Sequence, residues 1–156
     1  MTTLIRSEPT VRHATSDDLN DVERLLVAND LPTDGVAGAL DGFLVADHDG
    51  KLVGVVGVEG CGEYGLLRST AVDPAWRGRG LGRQLVEHAI AEAEARGLFA
   101  LYLLTTTAER YFPSFGFAHT TRDAVPDRVR DTAEFKTACP ASATVMHLPL
   151  SVAKGP

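Results

Sequence analysis

Val72-Asp-Pro-Ala-Trp-Arg77-Gly-Arg-Gly80-Leu-Gly82 joins the end of an apolar run to the start of an amphipathic one. Glycines at 78, 80 and 82 let successive backbone N–H groups crowd toward one point. A helix opening there adds the partial positive charge of its N-terminus. Arg77 and Arg79 add full charges and forked donors. Together these features describe an anion site suited to a pyrophosphate, although a glycine-rich turn with solvated arginines has the same composition. The stretch lacks GxxxxGK[ST], so it is no Walker loop. A GxGxxG fingerprint starting at Gly78 would need glycine where Arg83 stands.

The flanks place this loop between a strand and a helix. Downstream, Leu81, Leu85, Ala89 and Ala93 form one helical stripe with Val86 and Ile90 beside it, and Gly97 is the expected terminator. Residues 98–104 (LFALYLL) are nearly all apolar, as a central strand should be. Upstream, residues 64–72, 51–59 and 43–46 read as a three-strand meander. Its turns fall at residues 47–50 and 60–62, and the valine run of 51–59 predicts burial on both faces. Before it come a strand at 11–15, a helix from an N-cap at Ser16 to about Ala28, a turn-rich loop at 29–35 and a short helix near 36–40. After it come a short helix limited by Pro113, a strand from 115–118, a helix near 126–136 and a final strand at 143–148. The order is that of a mixed α/β (α+β) sheet.

The chain has 156 residues and normal proportions of hydrophobic (44%) and charged (23%) residues. We expect one domain over residues 10–150, with a flexible N-terminal tail at 1–9 and a C-terminal tail at 151–156. Such a domain buries about two thirds of its unfolded surface without staples. Lys and Arg total 15 against 21 Asp and Glu, a net charge of −6, which argues against a nucleic-acid partner. Cys61 and Cys139 are too few for a disulfide framework or a metal site, so no metal is expected. No apolar run has the length of a membrane span or the core of a signal peptide. These features predict a cytoplasmic protein without a membrane partner, and exposed strand edges leave a homodimer open.

Arg77-Gly-Arg-Gly80-Leu-Gly82 resembles the acyl-CoA loop Q/R-x-x-G-x-G/A of the GNAT acetyltransferases at all three fixed positions. Tyr111-Phe-Pro-Ser-Phe-Gly116-Phe117, after Ala108, resembles a second element of that family. The resemblance spans residues 11–149. It implies a mixed, mostly antiparallel sheet of six to seven strands flanked by helices, with a V-shaped split between strands 4 and 5. Acetyl-CoA, as co-substrate, would lie in the split. Its pantetheine would pair with Thr70, Ala71 and Val72, and its pyrophosphate would rest on Arg77, Gly78, Arg79, Gly80, Leu81 and Gly82.

The implied activity is direct transfer of an acetyl group to a small-molecule amine. That chemistry needs a proton acceptor for the amine, a donor for the thioester oxygen and, optionally, an acid for the thiolate. Phe112 fills the family's tyrosine slot, with Tyr111 one position earlier. An offset of about 100° on a helix directs Tyr111 elsewhere, so acid and core-packing roles are both open for it. Leu66 fills the usual glutamate slot. Glu59 and Glu63 are the nearest carboxylates, each equally readable as a solvated strand-end residue, and Glu59 is the candidate base. Arg68 shares strand parity with Leu66. An arginine inside an apolar strand needs a partner, either a substrate oxyanion or an internal salt bridge with Glu59 or Glu63.

Residues 31–36, 66–69, 103–108 and 139–143 are similar to acetyltransferases labelled arsenic-resistance-associated. The Leu-Arg-Ser and Leu-Thr-Thr runs also resemble N-acetylglutamate synthase acetyltransferase domains. Both imply an amino-acid-like, anionic acceptor lined by Thr33, Arg68, Ser69, Thr105, Thr106 and Cys139. Cys139 reads equally as a small buried hydrophobe. Two alternatives stand beside this reading: a non-catalytic acyl-CoA-binding module, and a protein or peptide N-acetyltransferase.

Overall fold

The valine run forms an interior strand of the sheet. The computed structural model describes residues 8–106, 108–138 and 142–150. In chain order the strands are β1 (Thr10–His13), β2 (Phe43–His48), β3 (Lys51–Cys61), β4 (Tyr64–Val72), β5 (Ala100–Thr105), β6 (Ala118–His119) and β7 (Thr144–Pro149). They make one seven-stranded sheet in the order β1-β2-β3-β4-β5-β7-β6. Every neighbouring pair is antiparallel except β4 and β5. The α-helices are α1 (Leu19–Ala28), α2 (Val36–Ala39), α3 (Leu81–Ala95) and α4 (Asp127–Arg130). None among the described residues is long and apolar enough to cross a membrane.

The apolar stripe of α3 dictates its place. Leu81, Leu85, Val86, Ala89 and Ala93 are buried against Val53, Val58, Leu67, Leu101 and Leu103 on one face of the sheet. Each such leucine contributes about 1.5–3 kcal/mol. The other face carries two separate apolar clusters. Val22, Leu26 and Val36 of α1 and α2 cover Val45, Val55 and Ala71. Val129 of α4 and Phe135 cover Leu66, Tyr102 and Val145. Gly57 lets β3 pass over the Phe43 ring, because a Cβ there would lie 2.5 Å from two ring atoms.

Two irregularities shape the centre of the sheet. First, β4 and β5 pair only at Tyr64–Ala100, Gly65–Leu101 and Leu66–Tyr102, although both strands run on. The strands splay beyond that point, which gives the expected split. Second, β4 bulges. Ala71 pairs with Val55 and Arg68 with Gly57, so Ser69 and Thr70 share the space opposite Val56. Ser69 takes a left-handed φ of +60° there. The extra residue shifts the side-chain parity, so Leu66, Arg68 and Ala71 all face the α1 and α4 side.

Four local expectations change. A 3-10 turn, Ser16–Asp18, precedes α1, so Asp18 rather than Ser16 is the N-cap of α1, and Thr15 caps the turn, its N–H and hydroxyl donating to Asp18 at 2.7 and 3.3 Å. Pro113 opens a 3-10 turn, Phe112–Phe115, rather than limiting a helix, since a first turn has no N–H to lose there. The strand expected at 115–118 shrinks to Ala118–His119. The helix expected at 126–136 splits into α4 and a π-helical turn, Glu134–Ala138. The Thr132 hydroxyl causes that break, donating to the Val129 carbonyl at 2.8 Å and accepting from the Phe135 N–H at 3.3 Å. Apart from Glu8 and Pro9, the tails expected at 1–9 and 151–156 lie outside the described residues.

Candidate active site

The loop between β4 and α3 is set by two glycines and an aspartate. The Asp73 carboxylate accepts from the Ala75 N–H at 2.8 Å and starts a 3-10 turn, Pro74–Trp76. Gly78 and Gly80 have φ of +79° and +81°, and a side chain at either would meet no neighbour. What glycine supplies is therefore left-handed backbone. Gly80 is the N-cap of α3 and gives it no side-chain cap. The first-turn N–H groups, which have no intrahelical partner, open onto a hollow of about 360 Å³ lined by Val72, Trp76, Arg77, Gly80, Gly82 and Tyr111, among others. Arg83 also lines it, held by Ser114 Oγ at 2.7 Å and by the Phe115 ring at 4.4 Å. Arg83 is a cation of this hollow that no sequence motif marks as one. Arg79 stacks on Trp76 at 4.6 Å.

A second cavity, of about 340 Å³, fills the split. One wall is the bulged segment Leu67, Arg68, Ser69 and Thr70, and the other is Leu103, Leu104, Thr105 and Thr106. Asp30, Leu31 and Pro32 close one side, Tyr111 and Phe112 another, and Glu134 also lines the cavity. Tyr111 borders both hollows. An offset of about 100° from Phe112 directs this ring elsewhere, yet both Tyr111 and Phe112 line the cavity. The Tyr111 ring lies 5.3 Å from both Phe112 and Phe115 at the entry to the 3-10 turn. Burial raises its phenol above the ordinary tyrosine range.

Arg68 organises the polar end of the cleft. Its side chain is fully buried. Nε donates to Ser69 Oγ at 3.0 Å, Nη1 to Glu59 Oε1 at 3.0 Å and Nη2 to the Asp34 carbonyl at 2.6 Å. Nε also lies 3.3 Å from Glu134 Oε1. Of the two internal partners weighed for Arg68, Glu59 is the one found. Glu134 is a partner that sequence reasoning missed. It stands 66 positions away in a stretch read as plain helix, and no motif links the two. Burial pushes the Glu134 carboxyl up to about 7, with Glu59 and Asp34 adding to the effect and Arg68 opposing it. Burial also pushes the Cys61 thiol up to about 11, which leaves no thiolate nucleophile there at neutral pH.

The predicted residues therefore divide. Arg68, Ser69, Thr70, Thr105, Thr106 and Tyr111 line the cleft. Val72, Arg77, Gly78, Gly80, Leu81 and Gly82 line the loop hollow. Ala71 packs under α1 instead, because the bulge turns it to that face. Thr33 is not part of the cleft wall: its carbonyl accepts from the Val36 N–H at 3.1 Å, while the preceding residues 30–32 face the cavity. Glu59 meets the site through Arg68 rather than on the cleft wall. Cys139 and Thr107 lie outside the described residues. Among the described residues, no group of three or more His, Cys, Asp or Glu side chains is placed to hold a metal.

Comparison with known proteins places this geometry. Residues 39–119 match a family model described as acetyltransferase (GNAT) domain. An amino-acid acetyltransferase of Ralstonia nicotianae is 34% identical over 131 residues, which cover 75% of this chain and 28% of that protein. The chain thus spans little more than a quarter of that relative's length. An amino-acid acetyltransferase of Mycobacterium tuberculosis is 31% identical over 127 residues, covering 70% of this chain and 68% of that one. The crystal structure of N-acetylglutamate synthase from Neisseria gonorrhoeae, complexed with coenzyme A and N-acetyl-glutamate, superimposes with a TM-score of 0.79. Its identity is 21%, over 93% of this chain and 36% of that one.

Proposed function

The chain belongs to the GNAT acetyltransferase family, and from that premise we propose that it acetylates the amine of a small, amino-acid-like, anionic acceptor with acetyl-CoA as donor. One observation carries the reading. The glycine-rich hollow at the start of α3 and the cavity in the β4–β5 split share Tyr111 as a wall. A donor with its phosphates on the loop thus has its acyl end in the cleft. The loop suits a pyrophosphate because its left-handed glycines leave open space above uncapped amides.

In this reading the splayed edge of β4 at Thr70 and Val72 offers backbone groups to the pantetheine. A strand N–H near Val72 meets the thioester oxygen as it gains charge. The acceptor enters beside Ser69, Thr105 and Thr106. Its nitrogen attacks the thioester carbon directly, and Tyr111, on the cleft wall, gives a proton to the leaving thiolate. Arg68 is the one cation on the described cleft wall and is the group that selects for an acceptor oxyanion. Glu59, paired with Arg68, holds it in place. Amino-acid acetyltransferases among the relatives support the same acceptor class.

The test is CoA thiol release from acetyl-CoA with a panel of amines: glutamate, aspartate, neutral amino acids, a phosphinic-acid glutamate analogue and a peptide with a free N-terminus. The expected result is turnover with an anionic amino acid, reduced in Arg68→Lys while acetyl-CoA binding is retained. A peptide that outcompetes every free amino acid would replace the small-acceptor reading. Tight binding of acetyl-CoA with no turnover on any amine would leave a binding module.

A further inference from the structure

We propose that the Glu134 carboxylate is the group that takes the proton from the acceptor's ammonium. The proposal rests on the acetyl-transfer reading above and adds a residue that no family motif points to. Amines reach the enzyme mostly as ammonium ions at neutral pH, and only the neutral amine attacks a thioester. A proton acceptor must therefore face the place where the amine waits.

The cleft wall carries two described carboxylates, Glu134 and Asp30. Asp30 is exposed to solvent. Glu134 has a side chain only 6% exposed and sits in the same cavity as Ser69, Thr105 and Thr106. It is also held from behind. Arg68 Nε lies 3.3 Å from its Oε1, and Arg68 is itself fixed by Ser69, Glu59 and the Asp34 carbonyl. Glu59 acts here as a positioning residue, through Arg68.

The local charge balance makes the transfer favourable. The groups acting on Glu134 are Arg68 of β4, Glu59 of β3 and Asp34 of the loop before α2. One cation thus faces two glutamates, so the charge on Glu134 is not cancelled. Burial with an uncancelled charge raises its proton affinity to about 7, where it gains and releases a proton readily.

The step balances. The ammonium loses one proton to Glu134. The neutral nitrogen attacks the thioester carbon, the C–N bond forms and the C–S bond breaks. Tyr111 gives its proton to the thiolate, forming CoA thiol, and regains one by taking up the second nitrogen proton. Glu134 returns its proton to solvent, so each cycle releases one proton. Protonated Glu134 no longer competes for Arg68, which frees the guanidinium for the acceptor's own carboxylate. The occupant this favours is a zwitterionic amino acid, whose ammonium and carboxylate are read by Glu134 and Arg68 in turn.

The experiment is the pH dependence of kcat/KM for the best acceptor of the panel, from about pH 5 to about pH 9, in the wild-type chain and in Glu134→Gln. The wild type is expected to show an acidic limb with an apparent pKa near 7. Glu134→Gln should lose about 100-fold or more in kcat/KM and lose that limb, with acetyl-CoA affinity unchanged. A flat wild-type profile in this range overturns the proposal even if the variant fails to fold. So does a Glu134→Gln enzyme with the wild-type rate, or one that is slowed but keeps the limb. A wild-type chain that acetylates no amine of the panel is a failure of the acetyl-transfer reading itself and takes this step with it.

Discussion

Arg77 Nη2 donates to Asn29 Oδ1 at 2.5 Å, tying the glycine-rich loop to the C-cap of α1 across 48 positions of sequence. The bond holds one of the loop's cations beside the hollow that the uncapped amides of α3 open onto. Arg77→Ala removes a cation from the wall of that hollow; under the proposed function CoA affinity should then fall about tenfold. Asn29→Ala releases the same guanidinium without removing it and should leave affinity within about threefold. Titration calorimetry with CoA at two salt concentrations checks both, and the Arg77 effect should shrink at high salt.

Gly57 has no room for a side chain. Gly57→Ala forces a methyl onto the buried Phe43 ring, which should destabilise the fold by about 1–3 kcal/mol. Urea unfolding measures the loss. Adding Phe43→Leu should recover part of it, whereas Gly38→Ala, where a Cβ meets nothing, should be close to neutral.

Asp18 accepts from Arg12 at 2.8 Å and from the Thr15 N–H at 2.7 Å. The Arg12 hydrogen bond, together with Thr15, holds its carboxyl down at about 2 from an ordinary 3.8, against burial. A depressed carboxylate stabilises the fold fully above its unfolded value of 3.8 and loses that contribution as pH falls toward 2. Arg12 is partly exposed, so we discount the linkage to about 1–2 kcal/mol. Asp18→Asn should be less stable than wild type by that amount at pH 7, and the gap should close in acid-unfolding curves below pH 3.8.

Glu134 has the opposite sign. Its folded carboxyl, at about 7, lies above the ordinary 4.5. The folded state therefore binds the proton more tightly, and stability falls as pH rises from 4.5 through 7. Glu134→Gln should be more stable than wild type at pH 8 by an amount on the order of 1–3 kcal/mol. The difference should fade toward pH 4.5. Thermal unfolding against pH is the measurement.

The fold was legible where one pattern controls one element. The α3 stripe, the all-apolar β5 and the valine run of β3 each announce their packing, and the loop at 77–82 announces its glycines. The acceptor side was less legible because its contacts are non-local. Nothing in the spacing links Arg68 to Glu134, and Glu134 owes its burial to a helix broken by Thr132. The bulge at Ser69 and Thr70 is invisible to a period-two reading, yet it decides that Ala71 packs under α1 while Thr70 lines the cleft. The place of Tyr111 was hidden for a related reason: the cleft wall takes in two successive residues, Tyr111 and Phe112, which a one-slot reading does not allow.

Only three residue pairs join β4 to β5, so the sheet is two half-sheets sharing a short seam. Beyond Leu66 and Tyr102 the facing amides of the two strands have no ladder with each other. A donor lying there would supply part of the missing connection and act as a removable rung. The half built from β5, β7 and β6 should then exchange its amide hydrogens as a separate, less protected unit, and donor binding should slow exchange on both sides of the seam together.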